Sequence, residues 1–210
     1  MSTVFLDLDG TLTDPKEGIT KSVIHALETM GYTAPAQDDL TWVIGPPLTD
    51  SFSELGVADP NHAVALYRER FSTIGLFENT PYPGVTEMLT TLAKGHRLAL
   101  ATAKPLVFAE RITARFGLNR HLSAQFGPDL DGTLSDKGDL LAQALKTLGV
   151  TPDRSVMVGD RHHDIDAARK VGMRSIAVTW GFGLDAEHQH ADAICNSLAD
   201  LPGLVAEMLG

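Results

Sequence analysis

The feature that most constrains this chain is a series of short apolar segments that alternate with stretches of helical spacing. Residues 3–6 (TVFL), 97–101 (RLALA), 155–158 (SVMV), 175–178 (SIAV) and 193–195 (AIC) read as buried strands, each too short for a helix. Between them, apolar residues recur on one helical face. Val85, Met88, Leu89 and Leu92 form one such face, and Leu106, Ala109, Ile112 and Phe116 another that ends at Gly117. Leu141, Ala144, Leu145 and Leu148 form a third, and residues 165–171 and 204–209 complete the helices. Strand and helix in strict alternation predict a parallel sheet with helices on both faces, the α/β class. Residues 15–81 break the pattern. Ile19, Val23, Leu27 and Met30 make a helical face stopped by Gly31, and Ala63, Leu66, Arg70 and Phe71 fit a last helix, with no strand between. Pro15 and Pro81 bracket this stretch. The expected organisation is therefore a core of residues 1–14 plus 82–210 with a helical insert at 15–81; one continuous α/β domain is the alternative.

Composition permits this. A chain of 210 residues with 43% hydrophobic and 21% charged residues can bury a sizeable core. The net charge of -10 gives no broad attraction to nucleic acid or to an anionic membrane, so an anionic ligand would need local cations. Cys195 is the one cysteine, which rules out an intrachain disulfide. The start, MSTVFLDLDG, lacks the basic region of a signal peptide, and no apolar run approaches the ~20 residues that span a bilayer. A cytoplasmic protein is expected, with monomer and homodimer both open.

Ligands of open α/β sheets bind beyond the carboxyl ends of the strands. Three of these ends carry polar residues: Asp7 with Asp9, Thr102, and Gly159-Asp160 followed by Asp164. Lys137 opens a helix in the same half of the chain. Several carboxylates around one point suit a hard divalent cation, Mg²⁺ in particular. A hydroxyl, an ammonium and free backbone N–H groups suit phosphate oxygens. Asp7 would then attack phosphorus, and Asp9 would protonate the leaving oxygen and later activate water. Taken singly, each residue also has a plainer reading. A strand-end aspartate often caps a turn or helix, and Lys137 alone is more often a solvated charge.

With these residues in place, the sequence resembles the haloacid dehalogenase superfamily of phosphohydrolases over nearly its whole length. FLDLDGT (5–11), ATAK (101–104), DKGDLL (136–141) and VGDRHHD (158–164) resemble its four motifs; the first and last are the specific ones. The resemblance implies a Rossmann-like parallel-sheet core with an inserted α-helical C1 cap. It implies Asp7 as nucleophile and Asp9 as general acid/base. Gly10, Thr102, Ala103, Lys104 and Lys137 would bind the phosphate. Mg²⁺ would be held by Asp7, the backbone carbonyl of Asp9, and Asp160, with Asp164 in the same shell. The acid at position 9 argues for phosphate chemistry over dehalogenation. IGPPL (44–48), YPGV (82–85) and DLDGTLSDKGDLL (129–141) are similar to the phosphoglycolate phosphatase branch. The implied activity is hydrolysis of a small phosphorylated metabolite, phosphoglycolate-like or a nucleoside monophosphate. The alternatives are a phosphomutase and a non-catalytic phosphate-ligand-binding protein.

Other residues leave open readings. Gly45-Pro46-Pro47 is either a connector or a loop over the substrate, and Lys104 either serves the ligand or is solvated. Arg161 either pairs with an acid or is solvated, and Trp180 and Phe182 either flank a pocket or pack a lid. Adjacent His162 and His163 should point to different sides and read as loop residues rather than a zinc site. DLDGTLTD (7–14) recurs almost unchanged as DLDGTLSD (129–136). The second copy follows Phe126-Gly127-Pro128, where no strand is expected, so it reads as a loop that delivers Lys137.

Overall fold

The computed structural model describes residues 1–210. The chain forms two compact units, one of Met1–Thr13 with Pro81–Gly210 and one of Asp14–Thr80. β1 (Ser2–Leu6) opens the first unit, and the two-residue strands β2 (Thr13–Asp14) and β3 (Thr80–Pro81) lie where the chain passes between units.

In the second unit, α1 (Lys16–Thr29) packs on α3 (Pro60–Phe71), as does α2 (Leu48–Glu54). Gly45–Pro47 is the connector ahead of α2, which starts once Pro47 has set the backbone. α1 meets the turn at Gly75–Phe77 so closely that a Cβ on Gly18 would overlap the Gly75 carbonyl. Arg70 on α3 pairs with Glu78 at 2.8 Å.

The first unit continues with α4 (Val85–Leu92), β4 (His96–Ala101), α5 (Leu106–Arg115), β5 (Ala124–Phe126), α6 (Lys137–Leu148) and β6 (Ser155–Gly159). It ends with α7 (His162–Lys170), β7 (Arg174–Val178), α8 (Asp185–His188), β8 (Ala193–Cys195) and α9 (Leu201–Leu209). Six strands form a sheet in the order β5-β4-β1-β6-β7-β8. Every neighbouring pair is parallel. β1 and β6 are central and almost wholly apolar, as strands covered on both faces must be. Phe5, Ala99, Ala101 and Met157 pack with Leu141 and Ala144 of α6 and Ala167 and Ala168 of α7, and this is one face of the core. α4 and α9 pack against each other and against β4 and β6.

The structure corrects three expectations. β5 lies directly ahead of Gly127, so a strand does precede the second aspartate copy. It escaped detection because its three half-exposed residues (AQF) carry no apolar run. α7 starts at His162, so His162 and His163 are helical. Their rings do not diverge: the centroids lie 3.8 Å apart. The short helices α2 and α8 had no periodic signature to read, being only 7 and 4 residues long.

Candidate active site

Strand order reverses between β1 and β6, because the chain adds β4 and β5 on one side of β1 before returning to its other side. A crevice at the carboxyl edge is expected at that point. Asp7 follows β1 and Asp160 follows β6. The Asp7 N–H donates to Val158 O at 2.9 Å, so the ladder continues one residue past the strand and fixes the Asp7 main chain. Asp164 is the third residue of α7, where its Oδ2 accepts the Arg161 N–H at 3.1 Å. One carboxylate oxygen from each of Asp7, Asp160 and Asp164 lies within 4.8 Å of the others, and all three residues are buried.

This crowding requires bare backbone around it. A Cβ on Gly10 or Gly181 would overlap the Asp160 carboxylate, and one on Gly159 the Asp164 carboxylate. Gly10 also sits at φ +79°, in the left-handed region that glycine enters without cost. There it turns the chain so that Thr11, Leu12 and Thr13 N–H groups all converge on the Leu8 carbonyl.

Two lysines reach the acids. Lys137, first residue of α6, places Nζ 2.9 Å from Asp7 Oδ1 and 2.5 Å from Asp164 Oδ1. Asp9 Oδ1 and Asp160 Oδ1 are buried without a hydrogen-bond partner. Lys104 is not solvated: it is buried, and its Nζ lies 2.7 Å from Asp9 Oδ2. Thr102 leaves the same carboxyl edge, its N–H bonded to Phe126 O. Its hydroxyl oxygen accepts the Lys104 N–H at 3.2 Å, which leaves the O–H proton to be donated. Ala103 is exposed beside it.

The electrostatics follow from burial and from unequal charge. Burial, then repulsion from Asp164 and Asp7, pushes Asp160 up to about 8. Burial likewise raises Asp164 against the pull of Lys137. Burial alone would lower Lys137, but Asp164 and Asp7 overcome it and hold the ammonium above its ordinary value. Asp9 is raised by burial, with Lys104 opposing. Three acids against Lys137 leave a surplus of two negative charges when all are ionised, the charge a divalent cation would balance.

The structure also brings in His188 and Glu187, which the sequence did not flag, and gives partners to residues that it did. Phe182 N–H donates to Asp160 Oδ2 at 2.7 Å, and buried His188 bonds the Asp160 carbonyl through Nε2 at 2.8 Å. Glu187 accepts from Arg161 Nε at 3.1 Å and from the His162 N–H at 2.9 Å. Those donors overcome burial and hold its carboxyl down at about 2. Arg161 thus pairs with an acid. Trp180 hydrogen-bonds Thr11 O, tying its strand end to the loop after β1. The acids of the second copy, Asp129, Asp131 and Asp136, are exposed and stand outside the carboxylate cluster.

The haloacid dehalogenase-like hydrolase family model matches residues 4–178. The chain is 43% identical over 188 residues to a 5'-nucleotidase of Pseudomonas aeruginosa, covering 88% of this chain and 85% of that protein. It is 40% identical over 182 residues to the tyrosine-protein kinase PtkA of Mycobacterium tuberculosis, covering 86% of this chain and 62% of the kinase. The crystal structure of a predicted phosphatase from Clostridium acetobutylicum superposes with a TM-score of 0.93 at 39% identity, covering 98% of each chain.

Proposed function

Because the chain belongs to the haloacid dehalogenase-like hydrolases and is a phosphatase, we propose that it is a Mg²⁺-dependent phosphomonoester hydrolase. It acts on a small phosphorylated metabolite through an aspartyl-phosphate. The observation that carries this reading is the buried cluster of Asp7, Asp160 and Asp164 at the sheet reversal, with Lys137 against Asp7.

In the first half-reaction an Asp7 carboxylate oxygen bonds to phosphorus while the bond to the leaving oxygen breaks. Protonated Asp9 gives its proton to that oxygen. In the second half-reaction ionised Asp9 takes a proton from water, whose oxygen bonds to phosphorus. The bond to Asp7 breaks, which releases inorganic phosphate and restores the free carboxylate. Lys137 and the Thr102 hydroxyl hold phosphate oxygens, joined by the backbone about Gly10 and Ala103, and Lys104 fixes Asp9 at 2.7 Å.

The residues present fit a divalent metal, since three carboxylates converge on one point and Asp160 Oδ1 is buried there without a hydrogen-bond partner. Asp7, Asp160 and the Asp9 main-chain carbonyl would hold Mg²⁺, with Asp164 in the same shell, and the bound cation would offset repulsion between the Asp7 carboxylate and the phosphate. The inserted helical unit, residues 14–80, is the cap of this reading. Similarity to a 5'-nucleotidase makes nucleoside monophosphates the first substrates to try. A cytoplasmic location suits a chain whose one cysteine is buried and unpaired.

Asp7→Asn tests the mechanism. Phosphate release from a panel of esters with Mg²⁺ should fall to background in this variant, and wild-type-like turnover would refute it. With a sugar 1-phosphate, free phosphate as product supports a hydrolase, whereas an isomerised sugar phosphate would make it a mutase.

A further inference from the structure

His188 is a buried polar residue in a four-residue helix, and the reaction described above gives it no part. Its Nε2 lies 2.8 Å from the Asp160 carbonyl oxygen. A carbonyl only accepts, so Nε2 carries the proton and Nδ1 is left with a lone pair. That Nδ1 is buried and has no partner. An imidazole with one nitrogen unsatisfied is a costly way to fill space that a leucine would fill more cheaply. The compensating interaction at this position is the bond to Asp160.

That bond acts on a particular peptide group. The carbonyl of the Asp160–Arg161 peptide accepts from His188, and the N–H of the same peptide donates to Asp164 Oδ2 at 3.1 Å. The Asp160 side chain is held separately, its Oδ2 accepting from Phe182 N–H, which leaves Oδ1 without a partner. Turning this one peptide would move the Asp160 main chain and release the Asp164 carboxylate together. Gly183 makes the arrangement possible, since a Cβ there would overlap Asp160 O and crowd His188 Nε2.

We propose that His188 is a positioning residue: it clamps the Asp160–Arg161 peptide and so holds the Asp160 and Asp164 carboxylates in register for a divalent cation. The proposal rests on the metal-site reading above. Groups that orient metal ligands in this way typically contribute 10–100-fold in metal affinity.

The test titrates the purified protein with Mn²⁺ alone, reading the free ion by its electron paramagnetic resonance signal, alongside Mg²⁺ activation curves. His188→Leu, which fills the space without a donor, should weaken Mn²⁺ binding by about 10–100-fold and raise the half-saturating Mg²⁺ concentration by a similar factor. The turnover number at saturating Mg²⁺ should change little. His188→Gln, which can present an N–H to the same carbonyl, should recover most of the affinity. His188→Met, a second side chain that fills the space without a donor, should behave like the leucine variant and carries the test if that variant does not fold. Wild-type Mn²⁺ affinity in His188→Leu or His188→Met, or equal losses in the leucine and glutamine variants, would overturn the proposal. Asp160→Asn separates the two readings. If it loses Mn²⁺ while His188→Leu does not, only the clamp is wrong; if it binds like wild type, the metal site falls and the clamp with it.

Discussion

Asp7 and Asp129 begin the same six residues, DLDGTL, yet they meet opposite environments. Asp7 is buried and its main chain is locked to β6. Asp129 is exposed, in the loop that follows β5. Asp129→Asn should therefore release phosphate at close to the wild-type rate in the assay where Asp7→Asn releases none; comparable losses in both would mean that the two copies share the chemistry. Lys104 supplies a second prediction. Its ammonium pulls the Asp9 carboxyl down against burial, so Lys104→Met should move Asp9 upward. The pH profile of kcat/KM should shift to higher pH, and an unmoved profile would contradict the role given to this pair. Asp7, Asp9, Asp160, Asp164 and Lys137 were legible in the sequence because each stands at the end of a strand or the start of a helix. Glu187 and His188 were not. Their contacts reach back to residues 160–162 from a helix too short to show any period.

At the level of elements, the sheet was legible because β1, β4, β6 and β7 are apolar runs closed by polar or glycine residues. The register could not be read, since parallel pairing joins residues far apart in sequence, as Leu6 with Leu100 and Val158. That register brings Asp7 and Asp160 off adjacent strands. The turn after β6 then has to pass under the Asp164 carboxylate, which leaves no room for a side chain at Gly159. Gly159→Ala should destabilise the fold by about 1–3 kcal/mol, the usual range for overpacking. Urea denaturation of the metal-free protein would show it, and a midpoint equal to wild type would mean that the α7 turn yields easily.

For the whole molecule, a net charge of -10 works against an anionic substrate, and inside the site Lys104 and Lys137 offset only part of the carboxylate charge. The surplus of negative charge there ties stability to pH. Asp160 is pushed up to about 8 from 3.8, so the metal-free folded protein keeps a proton that the unfolded chain has already lost above pH 4 or so. The unfolded state then binds fewer protons, and stability should fall as pH rises from about 4 to about 8. In the proposed metal site Mg²⁺ would bind the ionised carboxylate, so the rise in thermal midpoint that it produces should grow across the same window. Melting curves in chelator and in Mg²⁺ at pH 5 and pH 8 would show this, and a Mg²⁺ effect independent of pH would contradict it. The central claim is that Asp7 becomes phosphorylated. In Asp9→Asn the carboxylate proposed to activate water is gone, whereas p-nitrophenol still leaves easily without an acid, so the intermediate should accumulate. Acid quenching of this variant during turnover of p-nitrophenyl phosphate, followed by peptide mass spectrometry, should find phosphate on Asp7. Phosphate on another residue, or unmodified protein while p-nitrophenol is still being released, would contradict the account.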